Sequence, residues 1–142
     1  MKFRDEFFFL SNFYPCSITD PDFPDIVYFS VEAAFQAQKV LSKEDRMLFT
    51  SLTPTRAKRF GRKVELRKDW ESVRIPLMKK LIRAKFNSPE LAEKLKLVQG
   101  KIIEENSWND RFWGMCRGYG MNNLGKILEE IRDELLGGEK NG

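Results

Sequence analysis

The most regular hydrophobic pattern lies near the C-terminus, where Leu124, Ile127, Leu128, Ile131 and Leu135 recur at helical spacing among charged residues. That stripe predicts an amphipathic helix. Gly137-Gly138 should end it and leave residues 137–142 as a frayed tail. A second long helix is expected from about Trp70 to Phe86, with Val73, Leu77, Leu81 and Ala84 on one face. Pro76 should kink that helix or lie in its first turn. Shorter helices are marked by their caps. Ser30 precedes residues 31–41, and Ser42 with Asp45 marks another start. Thr53-Pro54 opens a segment stopping near Gly61, and Ser88-Pro89 opens one ending near Gly100.

The N-terminal part has no such period. FFFLSNFYP (residues 7–15) reads as an extended aromatic segment closed by Pro15. TDPDFPD (residues 19–25) is a turn-rich loop, and IVYF (residues 26–29) a short strand. A small hairpin-like sheet is therefore expected there, with KIIEE (residues 101–105) as a further short strand. Strands and helices do not alternate, which argues against a doubly wound sheet. Neither GxGxxG nor a P-loop occurs. The expectation is an α+β fold: one predominantly helical domain over residues 1–136 with a small N-terminal antiparallel β element.

Composition narrows the chemistry. A chain of 142 residues fits one domain. It contains no histidine, which removes the Ser-His-Asp and Cys-His designs and the commonest metal ligand. No acidic cluster has metal-site spacing, so neither a metal nor a cofactor is expected. Acid–base work falls to Asp, Glu, Lys, Tyr or Cys. Cys16 and Cys116 form no CxxC motif, and a reduced, cytoplasmic protein is expected. No apolar run approaches the roughly 20 residues of a membrane span. Asp5 and Glu6 interrupt the apolar start, so no secretory signal is expected. The net charge of +4 suits an anionic ligand. Seven basic residues (Arg56, Lys58, Arg59, Arg62, Lys63, Arg67 and Lys68) cluster around the single acid Glu65, either as a solvated face or as an anion contact.

Three places carry candidate chemistry. In VEAAFQAQKVL, the residues Glu32, Phe35, Gln36 and Lys39 fall at i, i+3, i+4 and i+7 and share one helix face. That row is either solvated or the polar lining of a pocket. Glu32 falls in the first turn, where the helix dipole favours its ionised form. The stretch from 104 to 125 combines acids, glycines, Trp108 and Trp113 without periodicity. Its tryptophans either stack a heterocycle or anchor the loop. Asn12 is either a turn residue or a reader of a base edge or ribose hydroxyls. Arg62 follows Gly61 and offers a two-pronged grip on phosphate. Trp70 is either core or a stacking surface.

Six segments in order resemble the YbiA-like NADAR family, named for association with NAD and ADP-ribose. They are FLSNFYP, VEAAFQAQK, RAKRFGR, RKDWESVRIPLMKKLIRAKF, EENSWNDRFWG and GMNNLGKILEEIR, and they cover nearly the whole chain. The resemblance implies N-glycosidase activity on a small phosphorylated riboside, either a riboflavin-biosynthesis intermediate or an ADP-ribose-like substrate. It implies Glu32 and Asp110 as catalytic carboxylates. The implied substrate-binding set is Ser11, Asn12, Phe13, Gln36, Lys39, Arg62, Trp70, Glu105, Trp113, Gly114 and Asn122. Ala33-Ala34 and MCRGYGM (residues 115–121) depart from the family pattern and are expected to reshape the pocket. Two alternatives stay open: removal of ADP-ribose from guanine in nucleic acid, and non-catalytic sensing of NAD or ADP-ribose. The expected partner is the small-molecule ligand, with nucleic acid only as an ADP-ribosylated substrate and no membrane.

Overall fold

The computed structural model describes the backbone of residues 1–141 and the side chains of residues 1–138. Helices dominate. In chain order the elements are a 3₁₀ turn (Asp5–Leu10), β1 (Ile18–Thr19), β2 (Val27–Tyr28), α1 (Val31–Ala37) and α2 (Lys43–Met47). They continue with α3 (Pro54–Gly61), α4 (Trp70–Lys85), α5 (Pro89–Leu97), β3 (Glu105–Asn106), β4 (Met115–Cys116) and α6 (Asn123–Asn141). Strands β1 and β2 pair antiparallel, Ile18 against Tyr28, which is the small N-terminal β element. Strands β3 and β4 pair parallel, Glu105 against Met115. Among the described residues no helix is long and apolar enough to cross a membrane.

The chain divides into two compact units. One is Asn12–Lys85. Here α1 is buried along its whole length and packs against α3 and α4. Its alanines at 33, 34 and 37 have almost no exposed surface and let neighbouring backbones approach. The predicted caps are present: the hydroxyls of Ser30, Ser42 and Thr53 accept from the backbone N–H of Ala33, Asp45 and Arg56. Each cap satisfies one of the orphan donors of a helix start. The other unit joins Met1–Ser11 to the chain from Phe86 onward. In it α5 packs on α6, burying Leu91 and Leu95, Leu124, Ile127, Leu128 and Ile131.

Several expectations are corrected. FFFL is a 3₁₀ turn, not a strand. Phe9 and Leu10 are buried consecutively, which period-two alternation would not allow. The partner of β2 is instead Ile18–Thr19. Helix α1 stops at Ala37, four residues early, because residues 38–40 continue in tighter turns. Of the two places expected for Pro76 the first turn is excluded: it lies inside α4 and removes the N–H that would pair with the Ser72 carbonyl. The buried stripe of α4 is Trp70, Met78, Leu81, Ile82 and Lys85, whereas Ala84 is exposed. Residues 101–104 form no strand, and the pairing starts at Glu105. Helix α6 runs through Gly137 and Gly138. Neither glycine takes the left-handed conformation of a helix stop, and a helical glycine costs only about 1 kcal/mol. The rest of the expected frayed tail concerns side chains from Glu139 and the residue Gly142, which lie outside the described residues.

Candidate functional site

In the Asn12–Lys85 unit, the polar row of α1 is buried. Glu32 is 8% and Gln36 6% exposed, so a solvated face is excluded. The Gln36 Nε2 donates to Glu32 Oε1 over 2.9 Å. The backbone N–H of Glu32 donates to the Asn12 carbonyl over 3.0 Å, which ties the segment after the 3₁₀ turn to the start of α1. Lys39, half-buried, donates to the Gly61 carbonyl over 3.3 Å. Burial lowers the Lys39 pKa from its ordinary value; the Glu32 carboxylate opposes that shift and Arg62 adds to it. The ammonium therefore lies within electrostatic reach of both. Arg62 caps the end of α3 and its side chain is exposed. Burial thus falls along this face from Glu32 and Gln36 to the half-buried Lys39, which reaches the Gly61 carbonyl one residue before the exposed Arg62.

Gly61 makes this packing possible. A Cβ at that position would lie 1.9 Å from Gln36 Oε1. Any side chain would push the amide away from its place beside Glu32. Trp70 lies 6% exposed against Phe35, with ring centroids 5.1 Å apart, so its ring buttresses α1 from within the core. The Asn12 amide points at Met78 Sδ over 3.5 Å, also inside the fold. Phe13 is half-buried. Ser11 belongs to the other unit, where its N–H donates to the Phe8 carbonyl and closes the 3₁₀ turn.

That other unit carries a second polar cluster. Asp110 Oδ1 accepts from the backbone N–H of Phe112 and Trp113, at 3.1 and 2.9 Å, and so shapes the turn that carries the half-buried Trp113. Asn106 braces the same turn: its Oδ1 accepts from Asp110 N–H, and its Nδ2 donates to the Asp110 carbonyl and to Glu104 Oε2. Trp113 meets Phe112 edge to face, with centroids 4.8 Å apart. Asn122 is buried at φ +53° with both side-chain groups engaged. It donates to the Ile102 carbonyl and accepts from Glu104 N–H, tying this segment to the start of α6.

The buried glutamate of this cluster is Glu104, not Glu105. Glu105 is exposed, and its Oε1 pairs with the N-terminal ammonium of Met1 over 2.6 Å. Glu104 is 7% exposed and lies against Gly114. The signal was present in the sequence. Ile102, Glu104 and Asn106 alternate with Ile103 and Glu105, and the first set is buried. Among the described residues no group of three or more Cys, Asp or Glu is placed to hold a metal ion.

A family model described as the NADAR domain matches residues 2–136. The chain is 35% identical to the chloroplastic riboflavin biosynthesis protein PYRR of Zea mays over 96% of its own length, and 37% identical to a riboflavin biosynthesis protein of Vibrio vulnificus over 89%. It spans only 25% and 35% of those two proteins. The N-glycosidase YbiA of Escherichia coli is 35% identical, with 87% of each chain covered. The solution structure of E. coli YbiA superposes with a TM-score of 0.84 at 33% identity, covering all of this chain and 86% of that one.

Proposed function

The chain belongs to the NADAR family, and from that premise we propose that it is an N-glycosidase hydrolysing the C–N bond of a small phosphorylated riboside. The observation that carries the reading is the buried pair on α1, Glu32 held by Gln36, with the half-buried Lys39 further along the same face and bonded to the Gly61 carbonyl. Breaking a riboside C–N bond builds positive charge at C1′. A fixed carboxylate in a site of low dielectric stabilises that charge and can deprotonate the attacking water. Lys39 and Arg62 supply the positive end that a phosphate needs. The names of the relatives favour a riboflavin-biosynthesis intermediate, with an ADP-ribose-like compound as the other substrate of the same class. Neither a metal nor a cofactor takes part in this scheme. Asp110 and Glu104 are the further carboxylates to test. Asp110 is assigned at least to shaping the Trp113 turn. A cytoplasmic setting goes with the two free cysteines.

A second reading, removal of ADP-ribose from nucleic acid, is favoured by one observation. Arg56, Arg59, Arg62, Lys63 and Lys68 are all exposed, as a strand-contacting surface requires. One experiment separates the readings. The protein is incubated with riboflavin-pathway ribosides, NAD, ADP-ribose and ADP-ribosylated guanine DNA, and released base is followed by mass spectrometry. Release from a free riboside is expected. Release from DNA alone, with steep salt dependence, would establish the second reading. Binding without any release would make the protein a sensor.

A further inference from the structure

Gln36 has a half-satisfied side chain. Its Nε2 is committed to Glu32 Oε1, and because a carboxylate only accepts, the orientation of the amide is fixed by chemistry. Its Oε1 is buried and has no donor among the described residues. The carbonyl is also confined, since it packs where a Cβ on Gly61 would lie 1.9 Å away. An acceptor held this way is costly unless a donor reaches it. Gln38 has an orphaned Oε1 as well, but the two cases differ. Gln38 has no exposed surface and its amide lies in the closed network around Asp20. Gln36 keeps 6% of its surface exposed, and its amide pairs with the Glu32 carboxylate on a helix face that continues to the half-buried Lys39.

We infer that Gln36 Oε1 accepts the 2′-hydroxyl of the substrate ribose, which makes this site selective for ribosides over 2′-deoxyribosides. The inference rests on the riboside reading above. A phosphate dianion brings no donor, so it belongs with Lys39 and Arg62 and cannot satisfy the carbonyl. The sugar brings hydroxyls. Glu32 acts at C1′, and the hydroxyl on the adjacent carbon falls on the next turn of the same helix face, where Gln36 stands. The carbonyl therefore reads a group whose absence would leave a buried acceptor unpaired. Selectivity of that kind is stronger than an apolar pocket achieves.

The test compares ribose 5-phosphate with 2-deoxyribose 5-phosphate by calorimetry, which does not depend on turnover. The wild-type protein should bind the ribose compound about 10- to 100-fold more tightly, the range for an unpaired buried acceptor. Gln36→Leu should bring the two within about threefold, mainly by weakening the ribose compound. Gln36→Met, unbranched and of similar length, serves if the leucine variant melts early. On a matched pair of 5′-phosphorylated ribosides, the ribo-to-deoxy ratio of kcat/KM should fall by a similar factor between wild type and variant. Taking that change cancels the greater intrinsic lability of deoxyribosides. Equal wild-type affinity for both sugars, or an unchanged ratio in the variants, would overturn the inference. Selective binding without turnover of any riboside would support the inference and sink only the hydrolase reading.

Discussion

Gly114 and Glu104 are packed so closely that a Cβ on the glycine would lie 1.6 Å from Glu104 Oε2 and 2.4 Å from its backbone oxygen. A side chain can swing aside, but a backbone carbonyl cannot without moving the chain. Gly61 presents the milder case, because there the obstacle is the end of the Gln36 side chain. Gly114→Ala should therefore destabilise by about 1–3 kcal/mol or more, as overpacking does. Gly61→Ala should cost less stability and chiefly disturb ligand binding. Urea melts and binding titrations of both variants check this ordering. A Gly114→Ala protein as stable as wild type would contradict it.

Glu32→Gln separates charge from shape. The amide keeps the side chain's size and can still accept from Gln36 Nε2. Removing a buried charge offsets part of what is lost when a charge-assisted hydrogen bond becomes a neutral one, so stability should shift by no more than about 1–2 kcal/mol. Turnover should fall on the order of 100- to 1,000-fold, the usual cost of a lost preorganised electrostatic partner. Asp110→Asn is the companion variant, since the amide oxygen can still accept from Phe112 and Trp113. Near-normal turnover in Glu32→Gln with a dead Asp110→Asn would move the principal role to Asp110.

Asp20 holds a buried clasp. It accepts from Tyr28 OH, Gln38 Nε2 and Arg46 Nη1, at 2.6, 2.9 and 3.0 Å. Burial by itself would raise its pKa. The hydrogen bonds from Tyr28, Gln38 and the Asp22 N–H, with the Arg46 charge, outweigh burial and hold it below the usual carboxylate value of 3.8. A carboxyl lowered in the folded state contributes stability that is complete above its unfolded pKa and is lost as pH falls through the folded one. Wild type should therefore lose stability below about pH 4, and Asp20→Asn should show a flatter acid limb in that range. Arg46→Ala, which leaves the buried carboxylate its hydrogen bonds but removes its counter-charge, should cost about 3–5 kcal/mol at pH 7. Thermal melts from pH 2 to 7 measure both effects.

Lys85 behaves in the opposite sense. It is 3% exposed near Tyr14 and Cys16, and burial lowers its pKa to about 8 against a small opposing effect of Cys16. Between that value and the unfolded value of about 10.4, the unfolded chain binds the extra proton, so this residue adds stability as pH rises. The stability of wild type relative to Lys85→Met should therefore increase between pH 8 and pH 10. Denaturant melts of the pair at pH 7, 8, 9 and 10 read it directly, and a constant difference would refute it.

Chelation should leave activity intact. The chain has no histidine, and the described residues hold no cluster of Cys, Asp or Glu placed for a metal. Turnover before and after exhaustive EDTA treatment is the measurement. Loss restored by a divalent ion would overturn the metal-free scheme.

The sequence by itself determined what depends on local chemistry. Ser30, Ser42, Thr53 and Ser88 cap where their hydroxyls predict, because a cap involves only the next three residues. The apolar period of Leu124 to Ile131 specified α6, and six ordered motifs specified the family. Tertiary structure decided whether polar groups face water or protein, which no local pattern encodes. The row of Glu32 and Gln36 reads equally well as a solvated face until α3 and α4 cover it. Arg46 is buried only because Asp20 and the Val40 carbonyl, from elsewhere in the chain, receive its charge. The aromatic run before Ser11 has strand composition, yet it turns because Phe9 and Leu10 must both be buried, and that requirement comes from neighbours such as Phe86, far away in sequence.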